Sequence, residues 1–262
     1  MTTLAGPGLT RGVVVPRPRP GAERRLVVFP HAGGAASFYR AWHRMLPADV
    51  ELQIVQYPGR ETRFTEPLPA SLTAMAGEAA AALRHAAHQR PRTVLFGHSM
   101  GAAVAYEAAL ALEQQGETGC AELFVSCRCA PGLRPAGRTP QTEEEILRSV
   151  RRFGGTPAVL LDDPQYRAIL VSLLRHDYRL NGSYRRMAPA PVRMPVTAVW
   201  SRDDPTVTAD MVEPWREYTT GRFRREIVEG GHFYLVPHLA RVVELVLSGT
   251  AAGAQDETYS VG

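Results

Sequence analysis

Short apolar runs alternate with longer alanine-rich or amphipathic stretches along most of this chain, and no other feature restricts its fold as strongly. The apolar runs do not alternate strictly with polar residues, which is typical of strands buried on both faces of a sheet. The predicted strands cover residues 26–29, 52–56, 93–96, 123–126, 196–200 and 226–228, and the predicted helices cover residues 36–45, 72–87, 100–115, 209–219 and 239–247. This order predicts an α/β fold with a mostly parallel central sheet flanked by helices.

One block interrupts the alternation. Residues 131–194 contain no good strand but two helical patterns, at 143–153 and 164–178. In the second pattern, helical spacing predicts an apolar stripe of Ile169, Leu170, Leu173 and Leu174. We therefore expect a helical insertion that lies over the C-terminal edge of the sheet as a lid.

The length of 262 residues suits one large domain. We assign residues 25–248 to this domain. Residues 1–24 are rich in proline and arginine and are expected to form a flexible N-terminal arm or an edge segment. Residues 249–262 are small and polar, which predicts a flexible tail.

Composition argues against several classes of protein. Three cysteines, an odd number within ten positions, do not predict a disulfide framework. The chain has neither the run of about 18 apolar residues that a membrane span needs nor a signal peptide at its start, so we expect a cytoplasmic protein. The net charge of +4 comes with acids interleaved among the arginines, which does not indicate a nucleic-acid partner.

The strongest chemical signal is Gly97-His98-Ser99-Met100-Gly101, between a predicted strand and a predicted helix. A serine on such a sharp turn has a strained backbone, and glycines two residues to either side avoid a collision. The turn lifts the Ser99 hydroxyl clear of the sheet. It also leaves the Met100 amide at a helix N-terminus, where it can donate to an oxyanion. The motif predicts that Ser99 is a nucleophile.

A nucleophilic serine needs a base, and the base needs an acid to orient it. In this architecture the acid precedes the histidine along the chain. Among eight histidines, His232 lies in a glycine-rich loop directly after the last predicted strand, and we select it as the base. For the acid we select Asp204, just after the strand at 196–200, with Asp203 as the alternative.

The loop after the first predicted strand is expected to supply a second oxyanion donor. This loop contains Ala32-Gly33-Gly34, and its glycines allow the Ala32 amide to turn toward the serine. Cys127-Arg128-Cys129 lacks a second ligand pair at zinc spacing, so we expect no metal site. Nucleotide-binding glycine motifs are also missing from the sequence.

Six segments together resemble the type II thioesterases of polyketide and nonribosomal peptide biosynthesis. They are FPHAGG at 29–34, QYPGRETRFTEP at 56–67, GHSMGA at 97–102, LRHDYRLNGSY at 174–184, DP at 204–205 and GGHFYL at 230–235. The resemblance extends from about residue 25 to residue 248. The PGRE-x-RF and GGHF motifs are more specific than the serine motif, because few other hydrolases combine them.

This resemblance implies an α/β-hydrolase fold with a mobile helical lid, no metal and no organic cofactor. It implies that the enzyme hydrolyses aberrant or stalled acyl groups from the phosphopantetheine arm of acyl or peptidyl carrier domains. Ser99, Asp204 and His232 match the catalytic triad of the family, and the amides of Ala32 and Met100 match its oxyanion hole. The implied partners are the carrier domains of an assembly-line synthase, with no nucleic acid and no membrane.

Three positions depart from the family pattern. Trp200-Ser201 stands where a glycine pair is usual, Gly182 where a glutamate is usual, and Cys127 where a glycine is usual. The indole beside the acid is expected to narrow the pocket or shift the acid loop. These departures leave the triad intact but make the family's acyl preference less transferable.

Three other functions remain open on the sequence. They are a chain-releasing cyclase or acyltransferase, a general carboxylesterase, and a non-catalytic protein that binds carrier domains. Carrier domains are usually acidic, so arginines near the channel mouth are candidate docking residues. These candidates are Arg134, Arg138, Arg148, Arg151 and Arg152, and a solvated lid face explains them equally well.

Overall fold

An eight-stranded sheet forms the centre of the structure, a computed structural model that describes residues 9–10, 12–85, 92–117, 119–134, 139–156 and 158–251. Its strands are β1 (Leu9–Thr10), β2 (Val13–Val14), β3 (Arg24–Phe29), β4 (Val50–Val55), β5 (Arg92–His98), β6 (Cys120–Ser126), β7 (Val196–Ser201) and β8 (Phe223–Val228). They lie in the order β1-β2-β4-β3-β5-β6-β7-β8. All neighbours among β3 to β8 pair in parallel, so the predicted mostly parallel sheet is confirmed.

Helices cover both faces of this sheet. They are α1 (Ala36–Tyr39), α2 (Leu72–His85), α3 (Met100–Gln114), α4 (Glu143–Phe153), α5 (Ala158–Asp162), α6 (Pro164–Ser183), α7 (Ala209–Val212) and α8 (Leu239–Ala251). Short 3₁₀ helices lie at Arg40–Arg44, Glu61–Arg63 and Glu213–Tyr218.

The core has two layers, one on each face of the sheet. Along β3, Val27 and Phe29 belong to the layer with α2 and α3, while Leu26 and Val28 belong to the layer with α1 and α8. Side chains alternate across a strand, so β3 is apolar throughout because both of its faces are buried. This double burial explains why its sequence shows no polar alternation.

The N-terminal segment contributes two edge strands that the strand predictions did not include. Val13 pairs with Val55 of β4 in antiparallel register and is 1% exposed. β1 and β2 have two residues each, too short for a recognisable pattern; β2 pairs with β4, and β1 pairs with β2. Residues 1–8 of the expected arm and residues 252–262 of the expected tail lie outside the described residues.

Two predicted helices change type along their length. The segment predicted at 36–45 begins as α1 and continues as a 3₁₀ helix, in which side chains three residues apart are aligned. Tyr39 and Trp42 have this spacing, are both buried, and place their ring centroids 5.3 Å apart. Similarly, α7 gives way to a 3₁₀ helix whose first turn contains Pro214.

The predicted helical insertion consists of α4, α5 and α6 between β6 and β7. α4 has the predicted limits, and α6 begins after Asp163, whose side chain accepts from the Gln165 and Tyr166 amides. The lid, as we call these three helices, has its own apolar cluster. The cluster consists of Ile146, Val150, Leu161, Leu170, Val171 and Leu174.

The predicted stripe on α6 is partly wrong. Ile169 is 48% exposed, whereas Leu170, Val171 and Leu174 are buried. The buried face therefore lies one position further along the helix than predicted, because α4 and α5 pack on that side. α5 was not predicted, and α6 extends five residues beyond the predicted end at Tyr178.

Candidate active site

Ser99 lies on a sharp turn between β5 and α3, and its φ of 56° and ψ of −117° are rare for a residue with a side chain. A Cβ atom at Gly97 would lie 2.2 Å from the carbonyl oxygen of Gly101, and a Cβ atom at Gly101 would lie 2.1 Å from that of Phe29. Both positions therefore require glycine. The strand–turn–helix context expected for a nucleophilic serine is present.

The structure brings Ser99, His232 and Asp204 into one hydrogen-bonded row. His232 Nε2 lies 3.0 Å from Ser99 Oγ, and His232 Nδ1 lies 2.7 Å from Asp204 Oδ2. His232 comes from the loop after β8 and Asp204 from the loop after β7. Because β7 and β8 are parallel neighbours, these loops meet at the same edge of the sheet. The three residue types and their spacing suit nucleophile, base and orienting acid.

Asp204, rather than the alternative Asp203, contacts the histidine. Its Oδ1 also accepts hydrogen bonds from the Thr206 amide at 2.8 Å and the Thr206 hydroxyl at 2.7 Å. Burial alone raises the pKa of Asp204, but the hydrogen bonds from His232 and Thr206 outweigh it, so the pKa lies below its ordinary value. Asp203 is exposed to solvent.

Cys127, one of the three departures noted in the sequence, lies against this row. Its backbone has a φ of 47°, and its sulfur, a carboxylate oxygen of Asp204 and a ring nitrogen of His232 all lie within 4.8 Å of one another. Burial and the neighbouring Asp204 charge raise the pKa of the Cys127 thiol. The hydrogen bond between the thiol and Asp204 contributes to this shift of the Cys127 pKa.

Trp200 does not narrow the pocket. Its indole packs against the core layer that contains α2 and α3. The next residue, Ser201, donates a hydrogen bond from its hydroxyl to the carbonyl oxygen of Gly230. This bond ties the loop that carries Asp204 to the loop that carries His232. The departure at Trp200-Ser201 thus leaves the acid in place.

Three other histidines hydrogen-bond to groups outside the triad. His98 Nδ1 lies 2.9 Å from Ser126 Oγ, His31 Nδ1 lies 2.7 Å from Tyr39 Oη, and His176 Nε2 lies 3.0 Å from the Pro69 carbonyl oxygen. Burial lowers the pKa of His31 to about 3, with the nearby His232 and Arg60 charges adding to the effect. The pKa of His98 also lies well below its ordinary value because of burial.

The loop expected to supply the second oxyanion donor is held by a buried carboxylate from the lid. The Gly33 amide donates to Asp177 Oδ2 at 2.7 Å, and Gly33 has a φ of 74°. Arg60 forms an ion pair with the same oxygen, and both side chains are at most 1% exposed. Ala32 lies next to Gly33 and lines the same cavity as Ser99. Met100 is the first residue of α3, where amides have no partner within the helix.

Neither Asp177 nor Arg60 was predicted from the sequence to be a catalytic or binding residue. A signal for Asp177 was nevertheless present, because it continues the helical spacing of Leu170 and Leu174 on α6. An acid in the apolar face of a helix predicts a buried partner. Nothing comparable indicates Arg60, which lies in an irregular loop.

A cavity of about 800 Å³ lies between the triad and the lid. Ser99 and His232 line one side, and Ser149, Phe153 and Tyr178 of α4 and α6 line the other. The Phe153 ring centroid lies 5.2 Å from that of His232. The volume of the cavity is in the range of small-molecule binding sites.

Several of the candidate docking arginines border this cavity. Arg134, Arg148 and Arg152 line it, and Arg148 forms an exposed ion pair of 2.6 Å with Glu144. Arg151 is exposed on α4. Arg138 lies outside the described residues.

In the part of the chain that the structure describes, no helix combines the length and the apolar composition that a membrane span requires.

Comparison with known proteins agrees with this geometry. The family described as "Thioesterase domain" matches residues 24–248. The chain is 38% identical over 219 residues to the "Probable cadicidin biosynthesis thioesterase" of Streptomyces griseus, covering 83% of this chain but 60% of the relative. It is 37% identical over 219 residues to the thioesterase PikA5 of Streptomyces venezuelae, covering 83% of this chain and 78% of PikA5.

A solved structure is similar over nearly the whole fold. YbtT, a type II thioesterase from the yersiniabactin NRPS/PKS biosynthetic pathway, has a TM-score of 0.81 and 27% sequence identity, and the match covers 90% of this chain and 97% of YbtT. The α/β-hydrolase fold is thereby confirmed. The chain belongs to the thioesterase family of hydrolases acting on thioesters, and within it to the type II thioesterases of polyketide and nonribosomal peptide pathways.

Proposed function

We propose that this enzyme hydrolyses acyl thioesters carried on the phosphopantetheine arm of acyl or peptidyl carrier domains. The observation that carries the proposal is the hydrogen-bonded row of Ser99, His232 and Asp204 beside a cavity under the lid. The row supplies a nucleophile, a base and an orienting acid, so the chemistry uses groups of the chain and water, and the phosphopantetheine belongs to the substrate.

The first half of the reaction forms an acyl-enzyme. His232 Nε2 takes the proton of Ser99 Oγ as this oxygen attacks the thioester carbonyl carbon. Asp204 keeps the proton on Nδ1 and stabilises the imidazolium that forms. The tetrahedral intermediate collapses with loss of the carrier thiolate, which takes the proton from His232. The products are the acyl-Ser99 ester and the free thiol.

The second half regenerates the enzyme. Water loses a proton to His232 as its oxygen attacks the carbonyl carbon of the acyl-Ser99 ester. His232 then returns the proton to Ser99 Oγ as the ester bond breaks, releasing a free carboxylic acid.

Two backbone amides are proposed to stabilise the oxyanion in both halves. The Met100 amide lies at the N-terminus of α3, where the helix dipole favours negative charge. The Ala32 amide belongs to the loop that Asp177 holds through Gly33. One preorganised donor of this kind typically contributes about 3–4 kcal/mol to the reduction of the barrier.

The proposed biological role is editing, the removal of aberrant or stalled acyl groups from an assembly line. It is supported by the similarity to YbtT, which is named for an NRPS/PKS pathway. Arg151 and Arg152 are exposed on α4, and Arg152 lines the cavity, so both suit docking of an acidic carrier domain.

The test compares the wild-type enzyme with Ser99→Ala on acyl groups loaded onto a carrier domain, with mass spectrometry of the product. We expect free acid from the wild type and a loss of nearly all turnover in the variant. A lactone, an amide or a transferred acyl group would identify a cyclase or acyltransferase. Faster cleavage of an oxygen ester than of the matched pantetheine thioester would identify a carboxylesterase. Failure of Ser99 to react with a fluorophosphonate probe would favour a non-catalytic carrier-binding protein.

A further inference from the structure

Arg128 is a buried cation in the wall of the cavity that contains Ser99. Its side chain is 3% exposed, and Nη1 donates to the Asn181 amide oxygen. Nε and Nη2 are buried and have no hydrogen-bond partner. The guanidinium also lies over the Tyr184 ring, 5.9 Å from its centroid. All of these neighbours are uncharged, so the positive charge of Arg128 is not balanced by its immediate contacts.

Two further arginines add positive charge beside Arg128. Burial lowers the pKa of Arg185, and the charges of Arg134 and Arg128 lower it further, so the three guanidinium groups interact. All three line the cavity. Within the described residues, none of them has a carboxylate at ion-pair distance. We call Arg128, Arg134 and Arg185 the arginine wall.

Nearby acids are already bound to other groups. Glu145 is the one acid among the described residues that line the cavity, and its carboxylate accepts from the Gln141 and Thr142 amides. Glu107 accepts the Tyr184 hydroxyl and forms a two-bonded ion pair with Arg186 at 2.9 Å. Among the described residues, the arginine wall therefore has no carboxylate as an ion-pair partner, and the one acid in the cavity lining, Glu145, binds backbone amides instead.

The stretch of α6 that faces the arginine wall is also uncharged. Asn181, the partner of Arg128, and Gly182 both line the cavity, and neither carries a carboxylate. A buried charge without a partner is costly, and a ligand that supplies the opposite charge removes that cost upon binding. The wall is therefore suited to an anionic group that arrives with the substrate.

We infer that the acyl group this enzyme removes carries a carboxylate, so that its substrates are thioesters of dicarboxylic acids, and that the arginine wall binds this carboxylate. The inference rests on the proposed function. Arg134 and Arg185 are more exposed than Arg128 and contact the anion, while the buried Arg128 charge stabilises it from behind.

The phosphate of the phosphopantetheine arm is a second source of anionic oxygen. The carboxylate is favoured by position, because the arginine wall lines the same cavity as Ser99 and His232. The phosphate is separated from the thioester sulfur by the whole pantetheine chain.

The experiment compares succinyl-pantetheine with butyryl-pantetheine. Their acyl groups both have four carbons and differ in the terminal carboxylate, and pantetheine itself carries no phosphate. We expect wild-type kcat/KM to favour succinyl, and Arg128→Met and Arg185→Met each to lower the succinyl-to-butyryl ratio about tenfold. Asn181→Asp, which keeps the shape of the side chain but gives Arg128 an internal carboxylate, is expected to lower the ratio as well. Arg148→Met is the control, because Arg148 lines the same cavity but is paired with Glu144.

The outcomes separate this inference from the proposed function. Equal or better hydrolysis of butyryl by the wild type, or an unchanged ratio in Arg185→Met and Asn181→Asp, would overturn the inference while leaving thioester hydrolysis intact. If the Arg128→Met and Arg185→Met variants weaken hydrolysis of both acyl groups on phosphopantetheine but of neither on pantetheine, the wall binds the phosphate and the inference is wrong. If the wild type hydrolyses none of these thioesters, the proposed function itself fails.

Discussion

The Asp177 carboxylate on the lid helix α6 accepts a hydrogen bond of 2.7 Å from the Gly33 amide in the loop after β3. Its Oδ2 atom also binds Arg60, in a pair that is closed to solvent. One carboxylate thus joins the lid to the loop that is proposed to carry an oxyanion donor. The position of the lid and the aim of the Ala32 amide are therefore coupled.

We predict that Asp177→Asn lowers both stability and kcat. The amide oxygen can still accept from Gly33, but Arg60 loses its counter-charge in a buried site, which costs about 3 kcal/mol or more in the free energy of unfolding. Without the ion pair the loop is less rigid, so kcat is expected to fall more than KM rises. Urea denaturation and steady-state kinetics measure the two effects.

The double variant Arg60→Met/Asp177→Leu separates positioning from stability. It replaces the buried pair with apolar groups, so it is expected to recover stability relative to Asp177→Asn. Gly33 loses its acceptor in the double variant, so kcat is expected to remain low. A double variant with both properties restored would show that Asp177 has only a structural role.

Low pH is expected to destabilise the fold, because a buried histidine resists the protonation that occurs in the unfolded chain. Burial lowers the pKa of His31 to about 3, whereas an unfolded histidine titrates near 6.5. Between these values the unfolded chain holds a proton that the folded chain does not, so stability falls as the pH decreases from about 6.5 toward 3.

Replacing His31 with glutamine removes this contribution. We predict that His31→Gln reduces the slope of unfolding free energy against pH by about 1.4 kcal/mol per pH unit between pH 4 and pH 6. Denaturant titrations at several pH values provide the measurement. His238→Gln is the control for loss of an exposed histidine, and an equal change in both variants would contradict the prediction.

Two glycine-to-alanine substitutions should have opposite effects on stability. Gly101→Ala places a Cβ atom 2.1 Å from the Phe29 carbonyl oxygen, so it is expected to destabilise the fold by about 3 kcal/mol or more and to displace Ser99. Gly77 lies on the exposed side of α2, where an added Cβ atom would have no neighbouring atom within 4 Å, and Gly77→Ala is expected to stabilise by about 0.8 kcal/mol. Thermal denaturation compares them, and a stable, active Gly101→Ala enzyme would refute the tight-turn argument.

The Ser99 turn could be predicted from the sequence, whereas the contact between the lid and the loop after β3 could not. The Ser99 turn is recognisable from residues within two positions of it, and the clash that excludes a side chain at Gly97 is with the nearby Gly101 carbonyl oxygen. The Asp177–Arg60 pair joins residues 117 positions apart, and no local pattern specifies that contact. Strands β1 and β2 were not predicted for the same reason, because the pairing of β2 with β4 and of β1 with β2, rather than their own sequence, makes them strands.

The neighbouring aspartates Asp203 and Asp204 provide the most direct test of the proposed triad. Asp204 lies 2.7 Å from His232 Nδ1, whereas Asp203 is exposed to solvent. Asp204→Asn keeps the shape of the side chain but no longer holds the required tautomer, so kcat is expected to fall about 10⁴-fold. Asp203→Asn is the matched control and should retain wild-type kcat. A larger loss in Asp203→Asn than in Asp204→Asn would mean that the acid is misassigned, since each variant removes one negative charge from the same loop.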